Sequence, residues 1–275
     1  MSVSIRLEDF IDQKKAVNDL AAIDSFGIGT VYLELVVEGN ASTGLPKINR
    51  TALVNLSRLL PKIKALGLKY GLILSESDRF PLFPEEAPQP AATEWFGKYR
   101  QELTGLHTRC QRAGSQPTRV VIGADFVAVE ADLRQWERSI AHCRELFPGT
   151  PIVYSALVER HREVPLWAAV DEIGVMYVPP LDGNYKRAHR TWNRNISQLA
   201  QRESKPVFIS HANITLAEKE WQLKNKFRFW AEEVELTGVN VNTVFGLSVL
   251  SDTTEYFALP PGSDARSFLA DYIAQ

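Results

Sequence analysis

Two carboxylates and one imidazole stand where apolar runs of this chain end or are interrupted. The run TRVVIGADF (residues 118–126) is continuously apolar from Val120 to Ile122, breaks at Gly123-Ala124 and then presents Asp125. Residues 30–36 (TVYLELV) carry Glu34 in otherwise apolar company, and residues 207–210 lead directly into His211. A carboxylate at the carboxyl end of a buried parallel strand is where barrel enzymes place chemistry, and there it serves as a general acid, base or nucleophile. An imidazole titrates near neutrality, so it moves protons or bonds hydroxyls at ordinary pH. Each group also has a plainer reading. Asp125 would cap the next turn or helix, His211 would be a satisfied histidine on a rim, and Glu34 would lie at a twisted, solvated strand end.

The elements that must position these groups alternate regularly. A weak first strand over residues 4–7 is followed by a helix over 12–26, stopped by Gly27. The strand over 30–36 precedes a helix over 49–66, which Pro61 should kink or divide. A strand over 70–74 leads to Glu76 and Asp78. The proline-rich stretch FPLFPEEAPQP (80–90) reads as a loop at the rim of a site rather than a linker, because the alternation resumes beyond it. Then come a helix over 93–112, a strand over 119–123, a helix over 131–146, a strand over 152–156 and a short helix over 164–170. A strand over 173–178 is followed by a helix over 184–201, a strand over 207–210 and a helix over 217–236. A strand over 241–250 and a helix over 265–273 close the series. Roughly eight strand–helix units with no break in composition predict one α/β domain over 1–275, a closed (β/α)8 TIM barrel. An open doubly wound sheet is the competing arrangement, but no GxGxxG follows an early strand.

Composition narrows the function classes. A chain of 275 residues is near the usual ~250 of such a barrel, and its 45% hydrophobic and 23% charged content are those of a globular protein. A formal net charge of -2 argues against nucleic-acid binding. No run of about 18 apolar residues predicts a membrane span. The opening MSVSIRLEDF lacks a signal-peptide pattern, which slightly favours a cytoplasmic location. Cys110 and Cys143 form no CxxC pair and join no histidine cluster, so neither zinc nor any other metal or cofactor is expected. There is no nucleophile elbow for serine chemistry. Asn-x-Ser/Thr triplets at Asn40, Asn49, Asn55, Asn195 and Asn213 matter only in a glycosylating secretory pathway.

Several segments in order, GTVYLELVVEGN, KALGLKYGLILS, EWFGKYRQEL, VVIGADF, QWERSIAHCRELFPGTPIVYSA, LWAAVDEIGVMYVPPL and KPVFISHANI, resemble the bacterial endo-β-mannanase-like glycoside hydrolases. These belong to the large clan of retaining glycosidase barrels. The most specific part runs from Trp136 through the Arg144 to Gly149 turn, Trp167, Asp171 and Ile173-Gly174 to Pro180-Leu181. The resemblance implies two carboxylates ~5–5.5 Å apart, one a protonated acid/base and one an ionised nucleophile. It implies the acid/base in an Ile-Gly-x-Glu-Leu segment, where this chain has Ile122-Gly123-Ala124-Asp125-Phe126. It implies the nucleophile in Lys-Pro-x-x-x-Thr-Glu, where Lys205-Pro206-Val207-Phe208-Ile209-Ser210-His211 stands. Tyr177 falls one position before the family's tyrosine, and Gly246-Leu247-Ser248 replaces its tryptophan.

The leading expectation is therefore a saccharide- or polysaccharide-binding barrel whose hydrolytic machinery is lost or altered. Asp125, His211 and Glu34 are the candidate catalytic positions, and Tyr177, Glu76 and Trp167 the candidate substrate-binding ones. Tyr177, Trp167 and Trp192 either stack on sugar rings or belong to the core, and Glu76 and Asp78 either lie in a solvated loop or supply a displaced carboxylate. The alternatives are an active glycosidase, with Asp125 as acid/base and Glu34 or Glu76 as relocated nucleophile, and a glycosyl transferase using the same cleft. The expected ligand is a saccharide, and neither nucleic acid nor membrane is an expected partner.

Overall fold

The computed structural model describes residues 2–7, 20, 28–76, 81–177, 185–212 and 241–246. Its strands are β1 (Ser2–Arg6), β2 (Thr30–Gly39), β3 (Pro46–Ile48), β4 (Lys69–Ser75), β5 (Val120–Ala124), β6 (Ile152–Leu157), β7 (Glu172–Tyr177), β8 (Val207–Ala212) and β9 (Val241–Gly246). Its helices are α1 (Arg50–Ala65), α2 (Ala92–Arg112), α3 (Leu133–Leu146) and α4 (Tyr185–Glu203). All strands but β3 pair in parallel in chain order, and β1 pairs with both β2 and β9, so the sheet closes on itself. This is the (β/α)8 barrel expected from the alternation. The short β3 pairs antiparallel with β2 and lies outside the barrel.

Helix α1 starts where Asn49 accepts from the Ala52 backbone N–H. It runs unbroken past Pro61, so the proline does not divide it. Residues 165–169 form turns rather than the expected short helix: Ala169 N–H donates to Leu166 O at 2.9 Å, three residues back, and Asp171 N–H goes to Ile152 O at 2.8 Å. Lys205 Nζ donates to Trp167 O, Ala168 O and Val170 O at 2.6, 2.7 and 2.6 Å. The helices expected over 12–26, 217–236 and 265–273 lie outside the described residues.

Side chains alternate across each strand, which sorts the core into two parts. The larger lies between sheet and helices, where Trp95, Phe96, Tyr99, Phe126, Trp136, Tyr154 and Trp167 pack edge-on and stacked. The smaller fills the barrel itself with Tyr32, Ile73, Val121, Ala124, Val153 and Phe208. Gly71 makes room there, since a Cβ on it would fall 2.2 Å from the Tyr32 ring. Toward the amino ends of the strands, Arg119 forms a two-pronged ion pair with Glu172, at 2.6 and 3.0 Å. It also donates to the Tyr32 hydroxyl and lies 4.4 Å over the Phe208 ring.

Replacing Arg119 by Ala leaves Glu172 without its partner and should destabilise the barrel by about 3 kcal/mol. Tyr32→Phe, which removes one hydrogen bond, should cost about 1 kcal/mol. Urea unfolding of the two variants measures the difference.

Candidate functional site

At the carboxyl end of the barrel, three strands converge on Glu34. This side chain is 1% exposed. Its Oε1 accepts from Ser75 Oγ on β4 at 2.7 Å and from Arg6 Nη2 on β1 at 3.2 Å. Its Oε2 lies 3.6 Å from His211 Nε2 on β8. Burial by itself would push this carboxyl's pKa up, but the Arg6 charge, then His211 and Ser75, hold it well below the usual carboxylate range. Glu34 is therefore an ionised group that faces into the barrel.

His211 is buried as well, at 2% exposure. Its Nδ1 is 2.9 Å from Ser210 Oγ, which in turn is 2.5 Å from Ser155 Oγ on β6. A carboxylate only accepts, so an Nε2–H toward Glu34 fits the pair. Ser210 Oγ also lies 3.4 Å from Val175 O, so Ser155, Ser210 and His211 form one chain of polar contacts that runs across the barrel toward Glu34.

Two strand irregularities decide which of the candidate side chains face the mouth. On β8 the register with β7 steps from Ile209 to His211 while β7 advances only from Val175 to Met176. The extra residue lets Ser210 and His211 both reach inward contacts, although simple alternation after Phe208 would turn His211 away. On β5 the opposite happens. Its register with β4 passes from Val121 to Ala124 while β4 advances from Ile73 to Ser75. Ala124 takes the inward place that alternation would give Asp125, and packs with the barrel interior.

Asp125 itself has φ 59, in the left-handed region, which Asp tolerates better than most residues. An inverse γ-turn at Phe126, with Val127 N–H donating to Asp125 O at 2.8 Å, follows at once. The Asp125 carboxylate meets Arg160 Nη1 at 2.5 Å and Leu157 N–H at 3.4 Å, on and just beyond β6. Arg160 Nη2 also holds Glu130 at 2.6 Å, and the Tyr154 hydroxyl donates to Glu130 at 2.5 Å.

The remaining candidates separate. Glu76 accepts from Leu82 N–H at 2.9 Å and so holds the proline-rich loop at the end of β4. Trp167 is 3% exposed behind the barrel wall, with Nε1 donating to His161 O at 2.7 Å, so it lies in the core and not at the mouth. Trp192 is partly buried against the same core. Tyr177 ends β7 in register with Ala212, but its side chain, like Asp78, lies outside the described residues. Arg6, Ser75, Ser155, Ser210, Glu130 and Arg160 were not singled out from sequence. Two of them carried a signal: Arg6, an arginine at the end of a weak strand, and Ser210, which stands at the threonine of the implied Lys-Pro-x-x-x-Thr-Glu segment.

The family model of Glycoside Hydrolase Family 113 matches residues 80–235, more than half of the chain. The protein belongs to this family. The fold of a family 113 β-1,4-mannanase solved as a complex superposes with a TM-score of 0.80 at 15% identity, covering 100% of this chain and 98% of that one. The β-mannanase AaManA from Alicyclobacillus acidocaldarius, in complex with ManMIm, gives 0.75 at 14% identity, over 99% and 96% of the two chains. An endo-β-1,4-mannanase from Thermotoga petrophila gives 0.72 at 11% identity, over 100% and 76%. Among curated proteins none matches the sequence. In this family 113 chain, the residues most specific to the expected resemblance hold the scaffold. Trp136 Nε1 donates to Val129 O at 2.9 Å, and Arg144 Nη2 reaches Asp171 at 2.6 Å. Asp171 in turn accepts from Ile152 N–H at 2.8 Å, at the start of β6.

The low pKa of Glu34 has a measurable consequence. Its contribution to stability is full above the unfolded glutamate value of ~4.3 and is lost as pH falls toward the folded value. The stability difference between wild type and Glu34→Gln should thus be constant above about pH 6 and shrink below about pH 4, as read by urea unfolding across that range.

Proposed function

We propose that this family 113 barrel binds a mannan-type saccharide at the carboxyl ends of its strands, with the usual retaining hydrolysis lost or altered. The observation that carries the reading is the Glu34–His211 pair, Oε2 to Nε2 at 3.6 Å. Retaining hydrolysis needs a carboxylate able to form a glycosyl ester and a second carboxyl that is protonated to assist departure. At the position where the resemblance implies the nucleophile, an imidazole is turned toward a buried carboxylate and cannot form that ester. Asp125, at the implied acid/base position, is turned to Arg160 at 2.5 Å. Mannan as the ligand class rests on the mannanases whose fold this chain shares.

One observation favours the second reading, an active glycosidase with a relocated nucleophile. Glu34 is held ionised at the mouth, as a nucleophile must be, whereas Glu76 is committed to the Leu82 amide.

Calorimetric titration with mannotetraose, paired with product analysis over long incubation, tests the choice. Binding without released mannose or mannobiose, unchanged in Asp125→Asn, is the expected result. Turnover that Asp125→Asn abolishes would establish the active enzyme instead.

A further inference from the structure

Two buried polar atoms at the barrel mouth face each other without bonding. The 3.6 Å between Glu34 Oε2 and His211 Nε2 exceeds the ~2.7–3.2 Å of an N–H···O bond, and neither atom has a hydrogen-bond partner among the described residues. Neither side chain is free to swing and close the gap. Glu34 is held through Oε1 by Arg6 and Ser75, and His211 through Nδ1 by Ser210. Buried polar atoms are nearly always satisfied, so an orphaned pair of this kind marks the place of a missing partner.

The chemistry of that partner follows from the two atoms. Oε2 needs a donor and Nε2–H needs an acceptor, and a hydroxyl oxygen provides both. An oxygen about 2.8 Å from each atom would sit about 2 Å to one side of the line joining them. The inward side chains on β4, β5, β6 and β8 near this pair are Ser75, Ala124, Ser155 and Ser210, none larger than a hydroxymethyl group, while Met176 on β7, in register with His211, packs against the barrel interior. The barrel interior beneath is filled by Tyr32, Ile73, Val121, Val153 and Phe208. Apart from Arg6 and Met176, the side chains around the pair are thus small, and they lie over a bulky apolar layer.

We infer that the gap between Glu34 and His211 is a hydroxyl-binding position, in which one oxygen donates to Oε2 and accepts from Nε2–H. Its occupant is either a saccharide hydroxyl or a water that completes the pair. The saccharide source rests on the function proposed above. In either case Glu34 and His211 act together, as a donor–acceptor clamp rather than as separate catalytic groups.

A crystal structure of the ligand-free protein, at a resolution that shows ordered water, tests the position itself. Titration of wild type, Glu34→Gln, His211→Phe and the double variant with mannotetraose and its monodeoxy analogues tests the source. For a sugar hydroxyl, each single variant should bind mannotetraose about ten-fold or more weakly at a temperature where it remains fully folded, whatever its change in melting temperature. One deoxy analogue should show the same loss with wild type and no further loss with the variants. An oxygen bridging both atoms in ligand-free crystals, with every deoxy analogue binding equally, assigns the position to water and upholds it. Wild type that binds no saccharide overturns the proposed function, but a bridging water would still uphold the hydroxyl position. The inference is overturned if no oxygen occupies the gap in crystals grown with or without mannotetraose. It is overturned equally if well-folded variants bind every analogue as wild type does and no ligand-free water is seen.

Discussion

A carboxylate sealed inside the end of a barrel imposes conditions on every strand around it. Glu34 is 1% exposed and charged, and a buried charge without donors is among the most costly features a fold can carry. The cation comes from Arg6, whose Cα pairs with that of Glu34 across the β1–β2 ladder. The hydroxyl comes from Ser75 on β4 and the imidazole from His211 on β8. The polar layer at the mouth is thus one connected arrangement, and closure of the sheet between β1 and its two neighbours brings these groups within reach of a single side chain.

The chemistry of the mouth is set by two extra residues in opposite senses. One on β8 turns His211 inward; one on β5 puts Ala124 inward and sends Asp125 to Arg160. Bulges next to sites re-aim side chains without altering the fold around them. The left-handed backbone at Asp125 belongs to the same device, and such strain persists only where its surroundings fix it. Here the fixing partners are Arg160, Glu130 and Tyr154, stacked one behind another.

The residues that hold the scaffold are distinct from those that meet at the mouth. Trp136, Arg144, Trp167, Asp171 and Lys205 shape the wall and the β6–β7 corner through backbone carbonyls and amides. Such contacts are demanding in geometry and indifferent to what binds at the mouth. A barrel can therefore keep its architecture at 15% identity to a mannanase of known structure.

The sequence by itself determined the alternation of strands and helices, and with it the closed parallel barrel, because apolar periodicity is a local property that survives until packing reads it out. It also marked Glu34, Asp125 and His211 as chemically unusual, since a charged or titratable group beside an apolar strand stands out in composition alone. It misread residues 164–170 as a helix, where the chain instead makes turns and gives the Asp171 N–H to Ile152 O, some twenty positions back at the start of β6. Only the tertiary structure decided which of the three faces the mouth. That choice depends on where one strand gains a residue on its neighbour, and a one-residue shift exchanges the two faces of a strand without changing a single amino acid.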